Sequence, residues 1–365
     1  MLHRDEITSA FNFLPNPGFQ MRIYCSPKPF SYVFGCNFGG KTYSCVNIAA
    51  QSVLENPYDA RYSYYPMLVG DDRRDDYGNY VNTLDKLPEY LPMPPGITKN
   101  SKISRGDWLR PQYADYYNKL MRDEWGMKYE LPILVWLSEP IRELHRELTM
   151  NHNGKPFLPK LLQGHIAHPE MSDVHGVWEY VMLKNGSRLA LRTAKAGQES
   201  TAGPSPSVVI FDEPHPSTIV GEGQARVLKS INGKLFYIFT PVIQQDERGQ
   251  IADTESWKHI MWIKTNILPL LEDEEAMKIN EIVHGVELEE NIALTKGERD
   301  HFTFGILHSG QSQELKRIRL KGMLEISDHL KSLDSSMLDE LRNRAIGSPI
   351  QPIEGFLDLA NRFGG

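Results

Sequence analysis

Eight residues, Gly35-Cys36-Asn37-Phe38-Gly39-Gly40-Lys41-Thr42, fit the pattern G-x-x-x-x-G-K-[ST], and their flanks leave few folds open. Before them, Phe30 to Phe34 (FSYVF) is aromatic and β-branched, the pattern of a buried strand. After them, Thr42 to Leu54 (TYSCVNIAAQSVL) carries apolar residues at helical spacing and stops before Asn56-Pro57. Strand, glycine-rich loop and helix in that order form a phosphate cradle, the Walker A loop. Backbone N–H groups surround the β-phosphate and the helix N-terminus adds partial positive charge. Gly35, Gly39 and Gly40 keep a Cβ out of the way, and Cys36, Asn37 and Phe38 complete the backbone curl. Lys41 reaches the β- and γ-phosphates, and the Thr42 hydroxyl is placed to bind Mg²⁺. The alternative is a tight turn between unrelated elements, and the strand and helix on either side argue against it.

A nucleoside triphosphatase of this kind also needs a carboxylate on a neighbouring strand for the metal shell and a base for the attacking water. Ser207 to Glu213 reads SVVIFDE, an apolar run ending in two acids, the Walker B pattern. Asp212 is the expected metal-shell acid and Glu213 the candidate general base that polarises water for attack on the γ-phosphate. Alone, such a strand end is as easily a solvated cap. Beside the loop, it implies ATP and Mg²⁺ as cofactors.

Length and composition set outer limits. With 365 residues the chain has room for two or three domains, and 40% hydrophobic with 24% charged residues is ordinary for a globular protein. Forty Lys and Arg against 47 Asp and Glu give a net charge of −7, so any nucleic-acid contact must come from a local patch. The three cysteines, Cys25, Cys36 and Cys45, lack C-x-x-C spacing and read as reduced thiols in a cytoplasm, without a zinc site. MLHRDEITSAFNF has no continuous apolar core and no run nears eighteen apolar residues. The expected protein is therefore neither secreted nor membrane-spanning.

Residues 1–30, with Pro15, Pro17, Pro27 and Pro29, read as an irregular arm. Residues 57–130 read as an insertion rich in Tyr, Asp and Pro. Its acids Asp71, Asp72, Asp75 and Asp76 are interleaved with Arg73 and Arg74, the mark of a solvated charged loop more than of a metal site. LPILVWL at 131–137 is a second buried strand, followed by a helix from Ile141 to about Thr149. Trp178–Leu183 and Arg188–Arg192 flank Lys184-Asn185-Gly186-Ser187, a hairpin signal. KLFYIF at 234–239 is another strand, ending in Thr240-Pro241. Alternating strands and helices imply an α/β fold with a mostly parallel sheet covered on both faces and its ligand at the strands' carboxyl ends. His165, His168 and His175 read as loop residues. The segment from Gln311 (QSQELKRIRLKGMLEI) reads as a helix whose Lys316, Arg317, Arg319 and Lys321 form either a solvated face or a nucleic-acid patch.

Taken in order, NPGFQ at 16–20, GCNFGGKT at 35–42, PILVWLSEP at 132–140, NGSRLALRT at 185–193 leading to AGQESTAG, VVIFDE at 208–213 and NGKLFYIFTPV at 232–242 resemble the ATPase half of the large terminase subunit, the DNA-packaging motor of tailed bacteriophages. RLKG at 319–322 looks like that family's R-x-x-G segment, so the resemblance spans residues 16 to about 326.

The resemblance implies a RecA-like P-loop core at 31–244, containing the insertion, then a small helical lid or linker at 245–330 and a tail at 331–365. It implies Mg²⁺-dependent ATP hydrolysis driving double-stranded DNA into a procapsid, within the cytoplasm of an infected bacterial host. The implied partners are a portal protein, a small terminase subunit and further copies of the chain. Gln20 takes the adenine-recognition position, where an amide both donates to and accepts from the purine edge. The alternative for Gln20 is an ordinary surface glutamine. Thr240 falls where the family couples γ-phosphate state to motion, its hydroxyl bonding Glu213 or the attacking water, unless it simply ends a strand.

Two departures stand out. Phe38 occupies a place where many family members carry arginine, which leaves the cis-arginine role vacant; a trans-acting finger is not assigned, and Arg188, Arg192 and Arg226 are candidates only. RLKG lies about forty residues from residue 365, too short a stretch for the family's nuclease domain, so no nuclease activity is expected of these residues. A helicase-like or other DNA-stimulated ATPase would show the same phosphate chemistry, and a nucleotide-binding assembly scaffold with little turnover is a reading from a different class.

Overall fold

Runs of five or six apolar residues settle as strands only when both of their faces are covered, and here they do so side by side. In the computed structural model the described residues are 18–36, 38–54, 131–151, 154–171, 176–194, 205–241, 255–288, 291, 294, 296–311 and 313–322. The expectations for the insertion and its acid cluster, for His175 and for the 331–365 tail lie outside them. FSYVFG forms β1 (Phe30–Gly35), LVWLSE β2 (Leu134–Glu139), VVIFD β6 (Val208–Asp212) and KLFYIF β7 (Lys234–Phe239). With β3 (Ile166–Met171), β4 (Trp178–Leu183), β5 (Arg188–Thr193) and β8 (Asn280–Val286) they make one eight-stranded sheet of order β3-β4-β5-β2-β6-β7-β1-β8. From β5 to β8 every neighbouring pair is parallel, whereas β3 and β4 run antiparallel at one edge. The fold is thus mixed α/β with a mostly parallel sheet, as expected.

Alternation along each strand divides the core. Val33, Val135, Leu137, Ile210 and Ile238 face α1 (Phe19–Cys25) and α2 (Lys41–Ser52). Tyr32, Phe34, Trp136, Phe211 and Tyr237 face the other way, toward α5 (Ser217–Val227) and α6 (Glu255–Asn266). Each fully buried aliphatic or aromatic side chain in these layers contributes on the order of 1.5–3 kcal/mol.

Four local expectations change. The arm is not wholly irregular: FQMRIYC forms α1, with Phe19, Met21, Ile23 and Tyr24 buried against the sheet. The helix after β2 begins as α3 (Arg142–Leu144) and continues as a π-helix over His145–Met150, where His145 is buried and bonds to the Arg192 carbonyl at 2.5 Å. His168 lies within β3, not in a loop. The segment after β7 is not purely helical, because β8 joins the main sheet beside β1 through the register Phe30↔Asn280 to Phe34↔His284. Near the end, α8 (Lys296–Leu307) and α9 (Gln313–Lys321) follow, and Lys316 of the basic quartet is buried, donating to the Leu307 carbonyl at 2.7 Å. A uniformly solvated basic face is therefore excluded at that position.

A buried acid ties α1 to β8. Glu281, 1% exposed, receives Arg22 Nη2 at 2.5 Å, Lys28 Nζ at 3.4 Å and the Ser26 hydroxyl at 3.3 Å. Removing one side of such a pair strands the other charge at a cost of about 3–5 kcal/mol when burial is complete. Glu281→Ala is expected to lower unfolding free energy by about 3 kcal/mol, measured by urea denaturation. A loss below about 1 kcal/mol, the level of an exposed ion pair, would show that α1 is held by packing alone.

Candidate active site

The parallel strands deliver their carboxyl ends to one edge of the sheet, and the residues singled out in the sequence gather there. The loop leaves β1 at Gly35 and enters α2 after Gly40, whose φ of 85° is a left-handed conformation that favours glycine. No side chain caps α2 and its first turn holds no acid, so the N-terminal amides of this twelve-residue helix keep their positive potential. Lys41 is buried and its ammonium donates to the Cys36 carbonyl, folding the side chain back across the loop. Phe38 also has positive φ, 62°, at an energetic cost of about 1–3 kcal/mol. Its ring is half-exposed and stacks on Phe302 of α8 at 3.9 Å. Asn291 holds the same turn by donating to the Phe38 carbonyl at 2.7 Å. Asn37 lies outside the described residues.

Gln20 is not a surface residue. It is 2% exposed, and its Nε2 donates to the Gly40 carbonyl at 3.1 Å, joining α1 to the last glycine of the loop.

Asp212 closes the opposite side. It is fully buried, and burial pushes its carboxyl up to about 6, while Thr42, Lys41, Cys45 and Glu139 pull it back. Thr42 and Lys41, distant in sequence, thus lie close enough to act on it. Neither carboxylate oxygen meets a donor at hydrogen-bond geometry, however, so these neighbours leave the acid unsatisfied. Glu213 follows at φ 70°, a strained conformation for a residue with a side chain. Burial pushes its carboxyl up to about 7, with Asp212 adding to the shift and Lys41 and the Thr240 backbone opposing it. Thr240, buried after β7, lies close enough for its backbone N–H to oppose the shift of Glu213.

The three arginines considered as candidates for a trans-acting finger pack against rings of the sheet. Arg192 and Arg226 lie 5.6 and 5.8 Å from the Trp136 ring centre, and Arg188 lies 5.9 Å from that of Tyr180. Arg226 also pairs with Glu222 at 2.6 Å.

Two residues escaped the sequence reading. Glu139 ends β2 and is fully buried beside Asp212. The apolar run PILVWLSE carries the same signal that identified SVVIFDE, a strand closing on an acid. His215 links Ser138 Oγ at 2.9 Å to the Glu213 carbonyl at 2.8 Å, and burial lowers its pKa to about 4. A neutral ring donates from Nδ1 to the carbonyl and accepts the Ser138 hydroxyl at Nε2, bracing the strained Glu213. No spacing rule marks this histidine.

Among the described residues, no three His, Cys, Asp or Glu side chains converge closely enough to hold a metal by themselves. Mg²⁺ does not need that. It takes one or two protein oxygens and fills its octahedron with phosphate and water, so the Thr42 hydroxyl and the orphaned oxygens of Asp212 fit it.

No protein-family model matches the chain, and no curated protein does. Solved structures do. Those it is similar to are phage large terminases. The large terminase of the thermophilic bacteriophage D6E is 16% identical, with a TM-score of 0.37 over 58% of this chain and 45% of that one. A structure of the same terminase in complex with ADP gives 16% and 0.37 over 57% and 44%. The HK97 bacteriophage large terminase is 13% identical, with a TM-score of 0.43 over 89% of this chain and 55% of that one. The large terminase ATPase domain of Thermus phage P74-26 gives 12% and 0.31 over 53% and 77%. The chain spans about half the length of the D6E and HK97 terminases.

The buried groups titrate in opposite senses. His145 and His215 stay neutral to about pH 4 against an ordinary 6.5, so the unfolded chain protonates first and stability falls as pH drops from 6.5 toward 4. Glu213 keeps its proton to about pH 7 against an ordinary 4.5, so stability falls as pH rises through that window. Glu213→Gln is therefore expected to unfold less readily than the parent at pH 8, by about 1–3 kcal/mol, with the gap closing by pH 4.5. Denaturant titrations of the nucleotide-free protein check this. A gap independent of pH would contradict the raised carboxyl.

Proposed function

We propose that the chain hydrolyses ATP with Mg²⁺ and that hydrolysis drives double-stranded DNA into a phage procapsid, as in a terminase large subunit. One observation carries the hydrolytic part: the uncapped end of α2, with Lys41 and Thr42, faces the unsatisfied carboxylate of Asp212, with Glu213 beside it. Positive potential for phosphate and bare oxygens for a cation meet at one edge of one sheet. On this reading the core is RecA-like, with the segment from 245 onward acting against it.

Each side chain then has a task. The amides of residues 35–42 hold the β-phosphate, and Lys41 exchanges the Cys36 carbonyl for β- and γ-phosphate oxygens. Thr42 and Asp212 hold Mg²⁺, which when bound offsets phosphate charge. Glu213 takes a proton from the attacking water. A base works best with a pKa near the working pH, and burial lifts Glu213 to about 7. The Thr240 amide steadies the Glu213 carboxylate, so a change of charge at Glu213 alters the bond to the end of β7, the proposed route from chemistry to motion. Gln20 reads adenine from a position anchored to Gly40. Support for DNA as the cargo, and for portal, small subunit and sister copies as partners, comes from the ordered sequence motifs.

Phosphate release with and without DNA tests the reading. Lys41→Ala should abolish hydrolysis and weaken ATP binding, whereas Glu213→Gln should bind ATP normally and turn over about 10²–10⁴-fold more slowly. Turnover of Glu213→Gln within about threefold of the parent would remove it as the base. Binding without turnover in the parent would favour the scaffold, and strand displacement would favour a helicase.

A further inference from the structure

Glu139 lies where the sheet concentrates negative charge. The β2–β6 register pairs Ser138 with Phe211, so Glu139 and Asp212 are the next residues along two adjacent parallel strands. Side chains alternate along a strand, which puts both acids on the α2 side with Leu137 and Ile210. Both are 0% exposed, and none of their four carboxylate oxygens meets a hydrogen-bond donor. A buried polar atom left in this way costs about 1–3 kcal/mol, more when charged, so an acid without partners contributes nothing to the fold that an apolar residue would not.

The charge count is also one-sided. Asp212 and Glu213 both act on Glu139, and both of them feel Lys41, which does not figure among the groups acting on Glu139. Three buried carboxyl groups crowd against one ammonium, which raises the cost of ionising all of them together, and a divalent cation would offset that repulsion.

We propose that Glu139 is a third protein group of the Mg²⁺ site, one that would orient the cation's water shell from beside Asp212. The inference rests on the ATPase reading. Contact is through water because no three acidic, histidine or cysteine side chains among the described residues converge on a single point. Mg²⁺ retains several of its waters, and a carboxylate one shell out orients them without displacing them. Glu139 is thus a positioning residue, and its effect is on metal affinity before any chemistry.

The test is titration of Mg²⁺ into the full chain holding a fluorescent ADP analogue, read as the Mg²⁺ concentration that gives half of the metal-dependent gain in nucleotide affinity. Glu139→Gln keeps the shape and removes the charge. It is expected to raise that concentration about 10–100-fold, while affinity in excess chelator stays within about twofold of the parent. An unchanged Mg²⁺ requirement would overturn the inference, because it would mean that Glu139 serves only as a neutral neighbour of Asp212. Should Glu139→Gln not fold, Glu139→Asp keeps the charge but withdraws it by one methylene. A several-fold rise supports the inference and no rise overturns it. A parent chain that binds no ADP with or without Mg²⁺ would overturn the ATPase reading and this inference together. Mg²⁺-dependent binding in the parent that neither variant alters would overturn this inference alone.

Discussion

Two strand spacings separate β1 from β6, roughly 10 Å across the hydrogen-bonded sheet, because β7 stands between them. Everything at the carboxyl edge is arranged around that gap. A lysine side chain spans such a gap, which lets Lys41 act on Asp212 and Glu213 from the far side of β7. β7 does more than fill the space. Its end brings Thr240 near Glu213, and its own register fixes the acids, since Asp212 pairs with Ile238 and Glu213 donates its N–H to the Ile238 carbonyl at 2.9 Å. The site thus depends on the sheet order before it depends on any side chain.

Support for the gap comes from both layers. On one face, α1 is clamped by Glu281 to β8, and this brings Gln20 to Gly40. At the edge itself, His215 and Ser138 cross-brace β2 to the strained Glu213. A left-handed glutamate persists only where its surroundings over-determine it, and here a strand amide, a histidine and the following Pro214 all restrict it. Stability is given up at this point in favour of geometry, which is the usual mark of a working site.

The parts legible in the sequence were those where local pattern and global fold agree. Strands β1, β2, β6 and β7 lie at the sheet's centre, need apolar residues on both faces and so announce themselves as unbroken runs. The β4–β5 hairpin showed through Asn185-Gly186. Strand β8 did not, because exposed His284 and half-exposed Gly285 interrupt NEIVHGV and it carries a buried Glu281 that only its ion pairs explain. Helix α1 is seven residues long between Gly18 and Pro27, too short for a periodic signal, and tertiary burial alone forms it. In the site, Lys41, Thr42, Asp212 and Glu213 follow from residue type and spacing. Glu139 carried a signal that went unused, and His215 carried none, since its role exists only when β2 and β6 are neighbours.

Gly322 ends α9 with a φ of 60°, and a Cβ there would lie 2.5 Å from the Gly35 Cα, the Gly35 carbonyl carbon and the Cys36 nitrogen. Those are backbone atoms of the phosphate loop, and backbone cannot step aside as a side chain can. Helix α9 and the loop therefore meet as two bare main chains without a cushion of side chains between them. A displacement of α9 toward β1 is therefore met by the Gly35 and Cys36 backbone within one van der Waals contact. Main chain, and not a side chain, would pass any such displacement into the turn between β1 and α2.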